Sequence, residues 1–346
     1  MKAQAMTAFG APLTPMDLTQ KQPGPGEALV RVTRAGLCHS DLHIHDGYFD
    51  FGDVRQPVAI DMPAVLGHEI EGEVAELGEG VSGPAVGTRV AVYPWLGCNA
   101  CATCRAGDQQ LCTALPRRAL GVAQWGGMAE YVHVPFASAL IPIGDLQPGL
   151  GALAMCSGLT AYSALKKIAT TPSDQPILLV GMGGVGLMAM ALAKNVLPNP
   201  VIAADIDAAK REAALEYGAV EAIEPTAEAW KDAASRHGLA GAAIDFVGAP
   251  VTFGFGTAAL RRGGRYVIVG LFGGKASLPL ASLPLRPISI AGSYVGRLDD
   301  ARELVDLLKS GAAPAPPMQE RPLADANAAI NDLRAGKVLG RVVLKP

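Results

Sequence analysis

The chain has 346 residues with a formal net charge of −3, and hydrophobic residues make up 50% and charged residues 18% of it. A domain takes about 100 to 200 residues, so this length suggests two domains, and the high hydrophobic content excludes intrinsic disorder. The slight acidic balance, without a run of Lys or Arg, argues against nucleic-acid binding, which needs clustered cations to neutralise phosphates, and favours small-molecule chemistry.

The N-terminal segment carries Lys2 but no apolar stretch of about 7 to 15 residues followed by a small-residue cleavage site, so we expect no export signal and a cytoplasmic protein. The longest uncharged run, 175–193, approaches the length of a membrane span. A short apolar strand, a glycine turn and a helix start account for all of its residues, however. We therefore expect no contact with a membrane.

Short strands dominate the first 150 or so residues. Apolar and charged residues alternate over 27–35, as in a half-buried strand, and 69–75 and 88–92 continue in the same style. Gly and Pro turns separate these runs, and helical stretches are few. The pattern predicts a β-rich domain.

Strands and helices alternate after about residue 157. The predicted strands lie at 177–180, 201–204, 243–247, 265–269 and 287–291. The predicted helices lie at 159–168, 184–196, 208–218, where Gly218 is a C-cap, and 299–309, and the chain ends in a short strand. Such alternation predicts a parallel sheet with helices on both faces.

A glycine-rich turn follows the predicted strand 177–180. Its residues Gly181, Gly183, Gly184, Val185 and Gly186 fit the pattern G-x-G-x-x-G, which by itself is a weak signal in a chain with 41 glycines. The position between an apolar strand and a helix start strengthens it, because a pyrophosphate binds to the free amides of a helix N-terminus. We therefore predict a dinucleotide site on this turn.

Asp205 ends the next strand, nineteen residues beyond Gly186, and bears on the choice of nicotinamide coenzyme. A carboxylate there accepts hydrogen bonds from the adenosine ribose and repels a 2′-phosphate. Asp207 follows it, and Lys210 is the nearest cation. NAD is therefore expected rather than NADP, although Asp205 could instead cap the following helix.

Six cysteines are present, and without an export signal metal or catalytic roles are expected before disulfides. Four of them have the spacing C-x2-C-x2-C-x7-C, namely Cys98, Cys101, Cys104 and Cys112. Four thiolates so close can surround a zinc ion at about 2.3 Å and leave no position for a substrate, so the predicted site is structural. A disulfide pair is an alternative that needs an oxidising compartment, and a zinc-ribbon nucleic-acid module is disfavoured by the acidic balance and by Asp108.

The other two cysteines, Cys38 and Cys156, suggest a second metal site together with His68. Two thiolates and an imidazole, with a fourth position open for water or substrate, make a catalytic zinc site. Spacing alone does not establish it, because a lone Cys is commonly a buried small hydrophobe and a lone His a core residue.

Six stretches of the chain together resemble one enzyme family. They are AGLCHSDLH, GHEIEGEVAELGEGV, the four-cysteine segment, MCSGLTAY, GMGGVG and GRVVL, and they occur in the family's order from near residue 24 to the end. On these motifs the chain is similar to the zinc-dependent medium-chain alcohol dehydrogenases. The resemblance implies an α/β protein with a GroES-like β-rich catalytic domain, residues 1–157 and 294–346, that holds both zinc ions, and a doubly wound Rossmann domain, residues 158–293, that binds NAD.

The resemblance implies roles for the residues around the catalytic metal. The trio Cys38, His68 and Cys156 would bind this zinc. Asp41 would orient the imidazole ligand, and Glu69 would approach the metal transiently.

Further roles concern the proton and the coenzyme. Ser40 would contact the substrate alcohol and start a proton relay through the nicotinamide ribose to His43, which could instead be a surface imidazole. His39 and Arg341 would lie near the pyrophosphate, although a neutral imidazole is a poor phosphate ligand. Thr160 would lie near the nicotinamide, and Lys210 near the adenosine ribose.

The implied activity is NAD-dependent oxidation of a primary or secondary alcohol to an aldehyde or ketone, with the reverse reduction. Cys156 stands where polyol dehydrogenases of the family carry Glu, which favours a simple alcohol. The relatives that reduce quinones or enoyl thioesters lack both zinc sites. A carbonyl reductase for bulky ketones or aldehydes and a non-catalytic dinucleotide sensor remain as alternatives.

Pocket shape and assembly are less determined by the motifs. Trp95 falls where relatives place an aromatic pocket wall, though it could equally be core. Tyr48, Phe49 and Phe51 belong to an unusually long segment, 48–63, and would line the substrate cleft or merely cover it. The short connection 112–126 resembles that of bacterial tetramers, so a homotetramer is expected, with a dimer as the alternative.

Overall fold

The structure, a computed structural model, describes all residues from 1 to 346. The strands are β1 (Lys2–Met6), β2 (Thr14–Asp17), β3 (Ala28–Leu37), β4 (Tyr48–Asp50), β5 (Arg55–Pro57), β6 (Ala64–Val65), β7 (Glu69–Leu77), β8 (Arg89–Val92), β9 (Tyr131–Val134), β10 (Leu140–Pro142), β11 (Ile177–Val180), β12 (Val201–Ala204), β13 (Glu221–Ile223), β14 (Ala240–Asp245), β15 (Leu260–Ile268), β16 (Ser289–Gly292), β17 (Met318–Pro322) and β18 (Arg341–Lys345). The α-helices are α1 (His39–Asp46), α2 (Ala102–Arg105), α3 (Leu150–Leu153), α4 (Leu159–Ile168), α5 (Gly184–Val196), α6 (Ala208–Glu216), α7 (Ala227–His237), α8 (Pro250–Ala259), α9 (Ser282–Leu285), α10 (Leu298–Lys309) and α11 (Ala326–Arg334).

A seven-stranded sheet organises the two ends of the chain. Its order is β10-β8-β7-β3-β18-β17, and β9 pairs with β3. The C-terminal strand β18 lies antiparallel to β3, with Val343 opposite Gly36. The first and last parts of the chain therefore build one β-rich unit, as the GroES-like expectation required.

A second, six-stranded sheet holds the middle of the chain. Its order is β13-β12-β11-β14-β15-β16, and every neighbouring pair is parallel. Strands β11, β12 and β14 are buried at every position because helices cover both faces. This confirms the predicted doubly wound arrangement. The connection that leaves β11 leads to β12 on one side, and the connection that leaves β14 leads to β15 on the other, which opens a crevice between the carboxyl ends of β11 and β14.

The largest buried apolar cluster joins the two sheets. It includes Val30 and Ile70 from the first sheet, Leu179 from the second, and Leu304 from α10. A packed apolar interface thus connects the two regions. None of the helices combines the length and the apolar character that crossing a membrane requires.

Some elements differ from the sequence expectations. The strand predicted at 243–247 occupies Ala240–Asp245, because small residues of low strand propensity begin it. Helices α1, α7, α8 and α11, and the short helices α2, α3 and α9, were not predicted. Helix α8 reads PVTFGFGTAA, and its glycines lower its helix propensity. It forms because the side chain of Tyr266, on the neighbouring strand β15, packs against it.

Candidate active site

Three distant segments bring the predicted trio together in the interior. Cys38 precedes α1, His68 precedes β7, and Cys156 lies in a π-helical turn, Ala154–Gly158, between α3 and α4. The two thiol sulfurs are 3.9 Å apart, and the ligand atoms of all three residues lie within 4.8 Å of one another. Tetrahedral zinc with sulfur at about 2.3 Å separates two sulfurs by about 3.8 Å, so this spacing fits the metal.

His68 gives an independent test of that fit. The residue is fully buried, yet neither ring nitrogen has a hydrogen-bond partner. Its Nδ1 lies 3.3 Å from Oδ1 of Asp41, which is close but poorly directed for a hydrogen bond. A buried polar atom without a partner is costly, and a metal bound to the imidazole removes that cost.

Asp41 connects the backbone of Cys38 with that of Gly67, the residue before His68. Its carboxylate accepts the N–H of Cys38 at 2.8 Å and the N–H of Gly67 at 3.2 Å, and the residue is fully buried. Gly67 has a φ of +91°, which turns the chain into position for His68. The orienting carboxylate that the resemblance implied therefore lies between these two segments.

The trio is electrostatically coupled. The hydrogen bond with Cys156 lowers the pKa of Cys38, and the same contact raises the pKa of Cys156. Burial is the largest single influence and acts to lower the pKa of His68, but the charges and hydrogen bonds of Asp41 and Cys38 together outweigh it and the pKa is raised. The site therefore favours an ionised thiol at Cys38 among closely spaced metal-ligating atoms, as a site for a cation needs.

Glu69 and Arg341 form a buried ion pair beside the trio. The carboxylate also accepts the N–H of Ser157 at 3.1 Å, whereas its Oε2 is buried without a partner. Burial raises the pKa of Glu69 to about 7. Arg341 passes beside the glycine turn, where a Cβ on Gly184 would collide with its side chain. This pair therefore joins the metal trio to the predicted coenzyme site.

The glycine turn is shaped for a ligand. Gly181 has a φ of +90°, and a Cβ on Gly186 would collide with the carbonyl of Gly181. Gly183, in contrast, has open space where its Cβ would be. No protein atom would clash with a side chain at this position. A pyrophosphate that approaches the backbone closely would require glycine there, so the turn fits a dinucleotide.

Asp205 lies at the carboxyl end of β12, directly beside this turn. Its carboxylate accepts the N–H of Met182 at 2.6 Å and the N–H of Asp207 at 2.8 Å. The cap of α6 is Asp207, which accepts the N–H groups of Ala209 and Lys210. The helix-cap alternative for Asp205 is therefore wrong, and lone pairs of its carboxylate remain for ribose hydroxyls.

Three further predicted coenzyme and relay residues lie on α1. His39 and Ser40 form the first turn of α1, and burial lowers the pKa of His39. His43 is half-buried with its ring 5.2 Å from that of Phe49, and burial lowers its pKa as well. Neutral imidazoles are therefore favoured near pH 7.

Two predicted residues lie farther along the chain. Thr160 is buried at the start of α4. Lys210 lies in α6 with its Nζ 4.0 Å from Asp207.

The four remaining cysteines form a separate site around α2. Cys98 and Cys104 sulfurs are 3.9 Å apart, as are those of Cys101 and Cys112, and all four lie within 4.8 Å of one another. Backbone N–H groups of Ala100 and Cys101 lower the pKa of Cys98 to about 6. Four converging sulfurs at tetrahedral spacing fit a structural zinc and leave no open position.

Comparison with known proteins decides the family. Residues 24–145 match the alcohol dehydrogenase GroES-like domain, and residues 184–310 match the zinc-binding dehydrogenase family. An NAD-dependent alcohol dehydrogenase of Sulfurisphaera tokodaii is 33% identical over 351 aligned positions, which cover 100% of both chains. The chain belongs to the zinc-dependent medium-chain alcohol dehydrogenases.

Solved structures agree with this assignment. The alcohol dehydrogenase of Aeropyrum pernix is 31% identical with a TM-score of 0.90, and the match covers 100% of each chain. The acetophenone reductase of Geotrichum candidum, solved with NAD, is 32% identical with a TM-score of 0.87, covering 100% of this chain and 97% of that one. The predicted family, fold class, enzyme class and cofactors, NAD and zinc, are confirmed.

Trp95 and Tyr294 form an aromatic wall in this dehydrogenase. The Trp95 ring lies 5.3 Å from that of His68 and 5.8 Å, edge-on, from that of Tyr294. Trp95 is buried and donates its indole N–H to the carbonyl of Met155 at 2.9 Å. Sequence reasoning missed Tyr294, because nothing local to 293–296 indicates that it approaches the metal trio. Only its aromatic character in a glycine-punctuated stretch was available as a signal.

The long segment 48–63 contributes a hairpin, β4 and β5, to a cleft of about 290 Å³. The hairpin residues Phe49 and Phe51 line it opposite Pro250, Phe253 and Leu271. Tyr48 instead lies under Arg55, whose guanidinium is 4.3 Å from the ring centre. Two of the three aromatic residues therefore line a cleft beside the second sheet.

Proposed function

We propose that this dehydrogenase oxidises a simple primary or secondary alcohol to an aldehyde or ketone with NAD, and catalyses the reverse reduction, in the cleft between the two sheets. The buried trio Cys38, His68 and Cys156, with its unpartnered imidazole, carries the proposal. The Glu69–Arg341 pair supports it, because it links this trio to the glycine turn.

Zinc held by the trio would act as a Lewis acid that lowers the pKa of the alcohol, and NAD would accept the hydride. Asp41 orients the ligands through their backbones and His68. Ser40 passes the alcohol proton toward His43, whose neutral ring can accept it. Glu69 would be able to approach the metal transiently through its unpartnered Oε2.

NAD would be held by the glycine turn and by residues near the carboxyl end of β12. The turn from Gly181 to Gly186, including Gly183, Gly184 and Val185, would hold the pyrophosphate with help from Arg341 and His39. Asp205 and Lys210 would hold the adenosine ribose, and Thr160 would contact the nicotinamide. The Asp205 carboxylate would repel a 2′-phosphate, which is the basis of NAD selectivity.

The test is the NADH absorbance change with zinc-loaded enzyme, NAD and NADP separately, and a panel of alcohols and matching carbonyls. Cys38→Ala should lower turnover about a thousandfold, since a Lewis acid supplies several kcal/mol, and should leave NADH binding intact. Asp205→Ser should raise the KM for NAD about tenfold or more, with Asp207→Ser, which keeps the helix cap, as control. Equal and negligible activity in wild type and Cys38→Ala would favour the sensor alternative instead.

A carbonyl reductase for bulky substrates is the second candidate. The Trp95–Tyr294 wall beside the trio supports it, because aromatic faces favour an aryl substituent through edge and face contacts. Tyr294→Ala should then raise the KM for aryl ketones more than that for short aliphatic ketones. An equal change for both would speak for a general packing role.

We also propose a homotetramer, with a dimer as the alternative. Strand β16 supports self-association, since it ends the six-stranded sheet and all four of its residues are exposed. Exposed Leu280 and Leu285 flank it. We propose a cytoplasmic location as well, which accords with six cysteines that form no disulfide. The proposed domain boundaries at residues 157 and 294 accord with the six-stranded sheet, because all of its strands lie within 177–292.

A further inference from the structure

The last residue of α1 is a carboxylate that the mechanism above does not use. Asp46 comes three residues after His43, a spacing that places both side chains on one face of the helix. Arg334 of α11 holds it by two hydrogen bonds, Nη1 to Oδ2 at 2.8 Å and Nη2 to Oδ1 at 2.7 Å. Such a bidentate pair fixes the carboxylate in place.

Packing fixes the two helices that carry this pair. Leu42 and Ile44 of α1 belong to the same buried cluster as Ile330 and Leu333 of α11. The ion pair itself stays at the edge of this cluster, with Asp46 28% and Arg334 43% exposed. The apolar packing between α1 and α11 therefore fixes where the two charged groups lie relative to His43.

The charged surroundings of His43 come from few elements. The hairpin places the uncharged ring of Phe49 against it. The titratable groups around it are Cys38, His39 and Asp46 on α1 and Arg334 on α11, with Tyr48 of the hairpin beside Arg334. Burial is the largest influence and lowers the pKa of His43, the Asp46 carboxylate acts to raise it, and Arg334 acts to lower it.

We propose that the Asp46–Arg334 pair positions and tunes the proton relay, by setting how readily His43 takes up the proton that leaves the alcohol. This inference rests on the proposed function, in which His43 receives that proton. In the step, Ser40 gains the alcohol proton and gives up its own, and a ring nitrogen of His43 forms the new N–H bond. Asp46 stabilises the resulting imidazolium without touching substrate, so it is a positioning residue.

Removing Asp46 and removing Arg334 should shift the pKa of His43 in opposite directions, and this distinguishes electrostatic tuning from structural support. Asp46→Asn leaves an unpaired cation near His43, whereas Arg334→Gln leaves an unpaired anion. A purely structural role would make both variants behave alike. Asp332→Asn is the matched control, because the Arg321–Asp332 pair also involves α11, has the same 2.7 Å contact and is similarly exposed.

The measurement is made on zinc-loaded enzyme in two ways. The pKa of His43 is followed by NMR of ring-labelled histidines, and the variant His43→Gln assigns its signal among the six histidines. The signal of His45 is followed separately, because its ring lies 3.4 Å from Asp46. The pH profile of alcohol oxidation is recorded in parallel. We expect Asp46→Asn to lower, and Arg334→Gln to raise, both the His43 pKa and the acid limb by about 0.2 to 0.4 pH unit, with the double variant near wild type.

The outcomes that overturn the proposal are distinct. A His43 pKa that is unmoved, or that moves in the same direction in both variants or equally in Asp332→Asn, removes the tuning while leaving the relay intact. Opposite shifts of the His43 pKa with a stationary pH profile would instead remove His43 from the proton path, and with it the relay of the proposed function. Opposite shifts in both measurements support the pair as part of the relay.

Discussion

Gly183 and Gly186 belong to the same turn but are glycine for different reasons. A Cβ on Gly186 would meet the carbonyl of Gly181, so the fold itself requires glycine there. Gly183 has an extended backbone, φ −74° and ψ −163°, that any residue adopts, and open space around its missing Cβ. The requirement at Gly183 therefore comes from the ligand.

Alanine substitutions should separate these two requirements. Gly183→Ala should leave the melting temperature within about 1 °C of wild type, while the Kd for NADH rises about tenfold or more. Gly186→Ala should lower the melting temperature by several degrees, because overpacking costs about 1 to 3 kcal/mol. Thermal unfolding and NADH fluorescence titration measure both. Unchanged NADH affinity in Gly183→Ala would contradict a pyrophosphate on this turn.

At the scale of elements, the four-cysteine segment is held by few apolar contacts. It consists of the four-residue α2 and a short 3-10 turn, and three of its cysteines are half-buried. Asp108 within it accepts two hydrogen bonds from Arg297, both at 2.7 Å, at the start of α10. The four-cysteine segment thus anchors the start of α10, the helix that packs against α4.

Removing this metal should loosen the segment. We expect Cys101→Ser to bind one zinc per chain instead of two and to be cut by trypsin at Arg105, since little besides the metal orders that loop. Cys38→Ser is the matched control, because it should also lose one zinc but resist cleavage there. Metal analysis and mass spectrometry of the fragments test this. Equal resistance of both variants would mean that the segment is ordered without zinc.

At the scale of the whole molecule, the exposed edge of the six-stranded sheet is the feature without an internal partner. Strand β16 pairs only with β15, and Ile290 on it is 36% exposed. Unpaired backbone groups on an edge strand are a template for another chain, and apolar neighbours add driving force. Self-association through this edge would give a closed symmetric assembly.

A charge on this edge should weaken the assembly. Ile290→Lys with Leu285→Lys should lower the mass measured by light scattering from a multiple of 35.6 kDa toward a smaller assembly. Val86→Lys, at an exposed apolar residue before β8 and far from this edge in sequence, should have no effect. A wild-type protein that is monomeric at micromolar concentration would contradict the proposed oligomer.

Elements with a clear residue pattern were predicted from the sequence, and elements with a weak pattern were not. Strands β11 and β12 and helix α5 were predicted at their observed bounds, because the apolar runs are continuous and the turns carry glycine. Strand β14 was misplaced and α8 was missed, because small residues and glycines give weak local preferences. Tertiary packing decides such elements, for example the contact of α8 with Tyr266.

By itself, the sequence determined the motifs: the four-cysteine spacing, the glycine turn before a helix, Asp205 at a strand end, and the family they indicate. These depend on local backbone chemistry and on short separations along the chain. Only the tertiary structure decided which distant groups meet. Glu69 and Arg341 are 272 residues apart, and Asp46 and Arg334 are 288 apart. Such contacts arise from the pairing of β18 with β3 and the packing of α11 on α1, which no local pattern encodes.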